Sequence, residues 1–457
     1  MPTSETQSLP RVLGASQATA IVVGTIIGSG IFLVPQEMMQ AAGRSSLVYL
    51  AWIVGGMLSL FGAMTYAELG AMRPYAGGEY VYLRDAYGDL TAFLYMWSWF
   101  VLAKPASIAT ITIGLVRVLV TFPALRWLDD PAFHVAFSLA WGQLLAITMT
   151  WLITGLNYLG IRRAGEFQLI FTWLKILLVA VIVLFCFTSP IGHRLNFATF
   201  FPGAPGGIAG FMIALVAALW AYDGWNNLNA VAGEICQPER NVPIALTLGV
   251  GLVALLYMAT NAAIQYILPA TAIAHSPRPA QVAMQLVAGH WGATLVSLGM
   301  ALSIVVTLNG TVLAGARVPF AAARDGLFFR SMMRIHPRFQ SPSTALVVQA
   351  WVATLLLLFI GKFQQLFELA LFAEWLFYML TATTLFVFRH REPDASRPYR
   401  VHGYPLLPAF LVLASAAVLA YTFAHNLRNS LAGLCVMAIG LPLFFWLRRR
   451  NTANPSN

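Results

Sequence analysis

Charged residues are scarce in this chain. Asp, Glu, Lys and Arg together make up 10% of the 457 residues, whereas apolar residues make up 59%. A soluble domain carries far more charge on its surface, so this composition excludes an ordinary soluble globular protein. The mean hydropathy of +0.73 instead indicates an integral membrane protein with room for about a dozen helices of roughly 20 residues each.

Cysteine and nucleotide-binding motifs are also lacking. The three cysteines, Cys186, Cys236 and Cys435, have no metal-ligand spacing, and we interpret them as buried or incidental thiols rather than a metal site or structural disulfide. No Walker-type phosphate loop occurs, which argues against ATP as an energy source. The polar residues 1–14 lack the short apolar core and cleavage site of a signal peptide, so the first span is expected to remain. We predict no cofactor, no metal and no enzymatic activity.

The net charge of +10 does not indicate nucleic-acid binding, because the cations lie in loops between apolar runs. Seventeen of them fall on one side of the expected membrane and six, including Lys362, on the other. The positive-inside rule therefore predicts a multi-pass protein of the cell membrane with both termini in the cytoplasm.

Apolar runs of spanning length recur along the chain. Their centres lie near Ile27, Leu58, Phe100, Ile147, Leu178, Leu219, Leu255, Ser303, Leu355, Leu376, Ala416 and Met437. We predict an all-α protein of about twelve transmembrane helices. The apolar piece at 281–289 is too short to cross and is expected to be re-entrant or interfacial.

Two of these runs contain sequences that disfavour a continuous helix. Gly28-Ser29-Gly30 interrupts the run from Ala15 to Met39, and Ala221-Tyr222-Asp223-Gly224 interrupts the sixth run. Unwound backbone at membrane depth is tolerated where it lines a cavity, and half-helix ends there hold charged ligands. The interruptions therefore predict a binding site.

The positions of the interruptions also predict an internal repeat. Runs 1 and 6 correspond if five helices repeat with opposite topology, which is an inverted 5+5 arrangement of the LeuT type. The expected division is a cytoplasmic tail at 1–14, a first repeat at 15–188, a second repeat at 206–390, two further helices at 404–447 and a cytoplasmic tail at 448–457.

A series of motifs in a specific order carries a family resemblance. They are Gly24 to Phe32, Tyr66-Ala67-Glu68-Leu69-Gly70, Gly77-Gly78-Glu79-Tyr80, Lys104-Pro105-Ala106-Ser107, Phe171 to Lys175, Trp220 to Asn226, Asn309-Gly310, Ala323-Arg324-Asp325-Gly326, Ile335-His336-Pro337, Arg389 to Pro393 and Arg397-Pro398. By these motifs the chain resembles the L-type amino acid transporters of the amino acid–polyamine–organocation superfamily.

The resemblance assigns the two interruptions to the poles of an amino acid. The N–H groups of Ser29, Gly30 and Ile31 suit a carboxylate, and carbonyls near Ile27, Trp220 and Asp223 suit an ammonium. The alternative is that Gly28 and Gly30 only allow close helix packing. The expected substrate-binding residues are Ile27, Gly28, Ser29, Gly30, Ile31, Trp220, Ala221, Tyr222, Asp223, Gly224, Asn227 and Glu374.

Three further residues are expected to act in gating or coupling. In the family an aromatic at the position of Trp220 closes over the substrate; here it could also be a packing residue. The ammonium of Lys175 resembles a replacement for the sodium ion of sodium-coupled relatives, with a structural cation or a proton switch as alternatives. Lys104 precedes Pro105, and a structural role beside a kinked helix is favoured.

Several acids remain to be placed. Asp223 and Glu374 depart from the family pattern and suit a substrate ammonium, a partner lysine or a proton. The remaining acids near the cytoplasmic span ends are interpreted as forming loop or gate salt bridges with Arg73, Arg84, Arg240 and Arg324. They are Glu68, Glu79, Asp85, Glu234 and Asp325.

The expected function is sodium-independent transport of a neutral L-amino acid by alternating access, through exchange or proton-linked uptake. Alternatives are a cationic amino acid or polyamine transporter, a sodium-coupled symporter of the same fold, an ion channel and a non-transporting amino acid sensor. Animal members of the family join a glycoprotein through a Cys in the loop after span 3. The corresponding loop at 122–134 has no Cys, so no such partner is predicted.

Overall fold

The computed structural model describes residues 9–134, 138–359, 363–425 and 427–453. Residues 1–8 and 454–457 of the expected tails, and Lys362 among the expected loop cations, lie outside the described residues. The α-helices are α1 (Ala15–Ile26), α2 (Gly30–Ala42), α3 (Ser45–Met72), α4 (Glu79–Tyr87), α5 (Asp89–Trp97), α6 (Lys104–Leu119), α7 (Trp141–Tyr158), α8 (Ile161–Thr188), α9 (Gly207–Ala221), α10 (Asn227–Ala230), α11 (Pro238–Ile267), α12 (Ala270–His275), α13 (Pro279–Gly315), α14 (Arg317–Arg324), α15 (Ser343–Phe359), α16 (Phe363–Arg391), α17 (Leu406–His425) and α18 (Leu427–Ala453).

Shorter elements connect these helices. A π-helix (Ser98–Ala103) joins α5 to α6, and an antiparallel pair of strands, β1 (Pro131–His134) and β2 (Ser138–Ala140), precedes α7. Short 3₁₀ helices occupy Pro123–Asp129, Arg194–Ala198, Ala232–Glu234 and Arg330–Met333.

The helices have the composition of membrane spans. Within the described residues, eight helical segments are long and apolar enough to cross a bilayer, and the apolar helices α9 and α15 are shorter. In α8, the apolar side chains of Ile170 and Leu177 are more than 60% exposed, whereas Thr172 and Lys175 are buried. Apolar groups outside and polar groups inside are the arrangement expected in lipid, where only internally bonded backbone is stable.

The predicted apolar centres correspond to helices. Ile27 lies in the gap between α1 and α2, and the other eleven centres lie within helical elements. The piece at 281–289 lies in the first part of the α13 range, which the non-helical residues Ala288 and Gly289 divide into two helices. Gly289 has φ +63°, a left-handed conformation that favours glycine. The re-entrant or interfacial placement of this short piece stays a prediction.

Both predicted helix interruptions are present in the backbone. The α1 helix ends at Ile26, Ile27 is non-helical with ψ 87°, and α2 begins at Gly30. After α9, Gly224 has φ +110°, and the single turn of α10 follows. A side chain at Gly224 would be strained by that conformation, and its Cβ would lie 3.2 Å from the Thr25 carbonyl.

Ion pairs join the ends of several spans. Asp85 accepts from Arg73 at 2.8 Å, Asp325 pairs with Arg84, and Glu68 accepts from Arg389 at 2.7 Å. These contacts confirm loop salt bridges for Asp85 and Asp325 with the expected arginines.

Three of the expected acids behave differently, and Glu68 is one of them, because its partner Arg389 is not among the expected arginines. Glu234 pairs with Arg317 at 2.8 Å, with both side chains fully buried, so this pair belongs to the protein interior rather than to a loop. Glu79 is buried and accepts a hydrogen bond from the Asn226 amide at 3.2 Å. Among the described residues no basic group lies within salt-bridge distance of Glu79, so its assignment to a loop salt bridge was wrong. Its neighbour in sequence, Arg84, points toward Asp85 and Asp325 instead.

Candidate binding site between the interrupted helices

The two interruptions lie against each other. The Thr25 hydroxyl donates to the Gly224 carbonyl at 2.9 Å. The Tyr257 hydroxyl lies 2.9 Å from the carbonyls of Ile26 and Ala221, which are the last residues of α1 and α9. Tyr257 is buried on α11, so one side chain holds the carboxyl ends of both half-helices together.

The N-terminal end of α2 carries unpaired donors. Within the described residues, the backbone N–H groups of Ser29, Gly30 and Ile31 have no hydrogen-bond acceptor, whereas the Ser29 carbonyl accepts from Phe32 and Leu33. Three free amides at a helix N-terminus concentrate positive partial charge in one place. They form a site suited to a carboxylate.

The carbonyls that were expected to bind the substrate ammonium differ from the prediction. The Ile27 carbonyl is not free, because it accepts from Lys175 at 2.7 Å and from Ser303 at 2.6 Å. The Trp220 carbonyl accepts from the Asp223 amide. In the described part of the chain, the carbonyls of Thr25 and Asp223 have no donor, and both residues face the cavity described next.

A cavity of about 110 Å³ lies at this junction. Its wall includes the expected residues Gly28, Ser29, Gly30, Lys104, Trp220, Ala221, Asp223, Gly224, Asn227 and Glu374. Ile27, Ile31, Tyr222 and Lys175 lie outside this wall. Ile27 and Ile31 have buried side chains, and Tyr222 packs edge-on against Trp52, at 5.6 Å between ring centroids.

Lys175 binds the end of α1. Its fully buried ammonium donates to the carbonyls of Gly24 and Ile27, each at 2.7 Å. These carbonyls belong to the negative end of a helix dipole, which stabilises a cation at that place. Thr307 also donates to the Gly24 carbonyl, at 3.1 Å. The lysine therefore satisfies the backbone exposed by the first interruption.

The charged side chains of the cavity wall are paired with groups outside the interruptions. The Lys104 ammonium lies 3.1 Å from the Glu374 carboxylate and 4.0 Å from the centre of the Trp99 ring. Asp223 accepts from the Tyr378 hydroxyl at 2.6 Å. Lys104 begins α6 directly after the π-helix, so the expected helix distortion is present, but the side chain also faces the cavity.

Comparison with known proteins agrees with this geometry. The family model described as amino acid permease matches residues 13–441. The chain belongs to the amino acid permease family. A serine/threonine exchanger of Bacillus subtilis (strain 168) is 31% identical over 98% of this chain and 100% of its own length.

Two human relatives are similar over most of the permease. A b(0,+)-type amino acid transporter is 32% identical over 90% of this chain and 83% of its own length. A cystine/glutamate transporter is 29% identical over 97% of this chain and 86% of its own length. These relatives are membrane transporters, so the permease is an amino acid transporter of the membrane and not an enzyme.

Sequence reasoning missed a set of wall residues on three helices, α1, α6 and α13. They are Thr25, Ile26, Ser107, Thr110, Ile111, Ile304, Thr307 and Thr311. A signal was available, because Ser107, Thr110 and Thr311 are hydroxyl residues inside apolar runs. On α13, Ile304, Thr307 and Thr311 have the three- and four-residue spacing of one helix face, which indicates a wall of the cavity.

We expect Gly30→Val to abolish amino acid binding while membrane insertion is retained. A Cβ at Gly30 would lie 3.3 Å from the Ala221 Cβ and 3.4 Å from the Trp220 ring, so the larger side chain would fill the space before the free amides. Gly251→Val is the control, because a Cβ there meets nothing within 4 Å. Binding to the purified proteins by scintillation proximity measures the effect, and wild-type binding by the Gly30 variant would contradict the site.

We expect Lys175→Met to reduce transport at least tenfold at equal expression. The change removes two hydrogen bonds from a charged donor, each contributing about 1.5–3 kcal/mol, and about 1.4 kcal/mol corresponds to tenfold. Ser303→Ala, which removes one neutral donor to the Ile27 carbonyl, is expected to have a smaller effect. Wild-type uptake by the Lys175 variant throughout pH 5 to 8 would show that this lysine is not needed for transport.

Proposed function

We propose that the permease exchanges neutral L-amino acids across the cell membrane without sodium, by alternating access around the cavity between the interrupted helices. The observation that carries this proposal is the group of free amides at residues 29–31, facing the carbonyls of Thr25 and Asp223 across the junction. Opposite partial charges separated by a short distance match the carboxylate and ammonium of one amino acid.

The proposed architecture has twelve spans, of which 15–188 and 206–390 form the two inverted repeats, with both termini in the cytoplasm. In this arrangement the interrupted helices belong to a bundle that moves against the remaining helices. The bond from Thr25 to Gly224 and the shared Tyr257 hydroxyl support movement of the two interruptions as one unit. We expect no disulfide-linked subunit, because the loop at 122–134 has no cysteine.

The position of Lys175 supports sodium independence. Its ammonium bonds to the carbonyls of Gly24 and Ile27, and a second cation at the same carbonyls would meet strong repulsion at short distance. In a sodium-coupled symporter of the same fold we would expect the ion at these oxygens, since hard cations bind oxygen.

A cationic substrate is the second candidate. The charged groups of the cavity wall are Asp223, Glu374 and Lys104, so the acids outnumber the bases by one. Asp223 has the uncharged Tyr378 hydroxyl as its partner. Lys104 therefore leaves the negative charge of Asp223 unbalanced. A basic side chain on the substrate would supply the missing positive charge.

Uptake into proteoliposomes tests the proposal. Vesicles loaded with an unlabelled neutral amino acid are expected to take up its labelled form equally well with sodium or choline outside. A competition panel of all amino acids then separates the neutral from the cationic candidate. Strict sodium dependence would refute the proposal, ligand binding without flux would favour a sensor, and currents that do not saturate with substrate would favour a channel.

We expect Asp223→Gly to shift the competition profile away from amino acids with basic side chains, by about tenfold relative to neutral competitors. The reason is the loss of one charge-assisted contact, which contributes about 1.5–3 kcal/mol. Glu166→Gln is the matched control, because Glu166 is an exposed acid paired with Arg162. An unchanged profile would mean that Asp223 does not contact the substrate side chain.

A further inference from the structure

Part of the cavity wall lies outside the two interruptions. It comes from α6, α13 and α16, and its charged residues are Lys104 and Glu374. Because the interruptions supply the amides and carbonyls for the carboxylate and ammonium of an amino acid, this second part of the wall is left for the substrate's side chain. The cavity measures about 110 Å³, so a substrate that fills it brings its side chain close to this wall.

Lys104 and Glu374 form one buried ion pair on this wall. The ammonium and the carboxylate are 3.1 Å apart, and the two side chains are 3% and 7% exposed. Within the described residues neither group has another ion-pair partner. A buried charge that loses its partner is strongly unfavourable. The pair as a whole therefore presents no net charge to the substrate's side chain, although each member alone would.

The ammonium of Lys104 is also held from a second direction. The centre of the Trp99 ring lies 4.0 Å from it, and an aromatic face at this distance stabilises a cation. Trp99 is buried, and its indole N–H donates to the carbonyl of Gly315 at 3.2 Å. It lies in the π-helix Ser98–Ala103, an element that is frequent at functional sites. The cation thus has a support at the cavity wall that does not depend on Glu374.

Glu374 occupies the position that a carboxylate of the substrate would otherwise take. A fixed ammonium at a buried wall attracts a carboxylate, and here the carboxylate comes from the protein itself. A second carboxylate, on the side chain of an acidic amino acid, would lie close to Glu374, and like charges repel strongly at short distance in a buried site. Asp223 adds more negative charge to the same cavity.

From this arrangement we propose that Glu374 is a specificity-determining residue, which occupies the anion position of Lys104 and thereby excludes amino acids with acidic side chains. The inference rests on the proposed transport through this cavity and adds which side chains are rejected. An amide side chain is still accepted, because it offers a hydrogen-bond donor and an acceptor to the pair without adding charge.

Competition by acids and their amides tests the proposal in the wild type. The probe is the labelled form of the neutral amino acid that is taken up best, bound to purified protein in detergent. Aspartate and glutamate are expected to compete at least about tenfold more weakly than asparagine and glutamine, which have nearly the same shape. Equal effects of acid and amide in both pairs, including no competition by either, would overturn the proposal.

Single substitutions in the pair are expected to shift the competition in opposite directions. Glu374→Gln frees the ammonium of Lys104, so the ratio of acid to amide competition is expected to rise about tenfold. Lys104→Gln leaves Glu374 without its cation, so amino acids with basic side chains are expected to gain by a similar factor relative to neutral ones. The double variant has an uncharged pair and is expected to show neither gain. Glu166→Gln, at an exposed acid, is the control and is expected to match wild type.

The opposite directions distinguish charge selection from damage to the cavity, which would weaken all competitors together. Wild-type ratios in both single variants would show that the pair is structural and that the proposal is wrong. Where Glu374→Gln yields no folded protein, the wild-type comparison and the Lys104 variant decide in its place. Amino acid flux without discrimination against acids would refute this inference alone, whereas absence of flux in the wild type would refute the proposed function.

Discussion

Backbone polar groups inside a membrane must be bonded within the protein, and the architecture of this site follows from that requirement. Breaking two helices against each other exposes carbonyls and amides far from water. At the end of α1 the carbonyls of Gly24, Ile26 and Ile27 are satisfied by Lys175, Tyr257 and Ser303, which lie on three different helices. Among the described residues, the Thr25 carbonyl and the amides at the start of α2 are left without such partners. The protein therefore stabilises part of the exposed backbone and keeps the rest available for a ligand.

The interruptions themselves were readable from the sequence. Gly28-Ser29-Gly30 and Gly224 stand out because glycine is unfavourable in a helix, and a side chain at Gly224 would be both strained and crowded. The apolar runs likewise predicted where helices lie, and the motifs identified the family. These features are local, so a single stretch of sequence contains the evidence for each.

The partners of the buried groups were not readable in the same way. Lys104 and Glu374 are 270 residues apart, and Ser303 and Ile27 are 276 residues apart. Which side chains meet depends on how each helix is rotated about its axis, and hydropathy does not determine this when a helix is surrounded by other helices. Glu79 shows the difficulty, because nearby arginines in the sequence suggested a salt bridge, whereas the start of α4 directs the carboxyl group inward to Asn226.

A contact at the start of the chain has a consequence for biosynthesis. Leu13 forms a parallel bridge with Ile235, and the Cys236 thiol donates to the Arg11 carbonyl across 225 positions. At a translation rate of about 5–20 residues per second, roughly 11–45 s pass between synthesis of the two segments. During this interval the segment around Leu13 lacks the partner that it has in the folded protein. The junction of the interrupted helices thus closes late, only after the ribosome has delivered the second half.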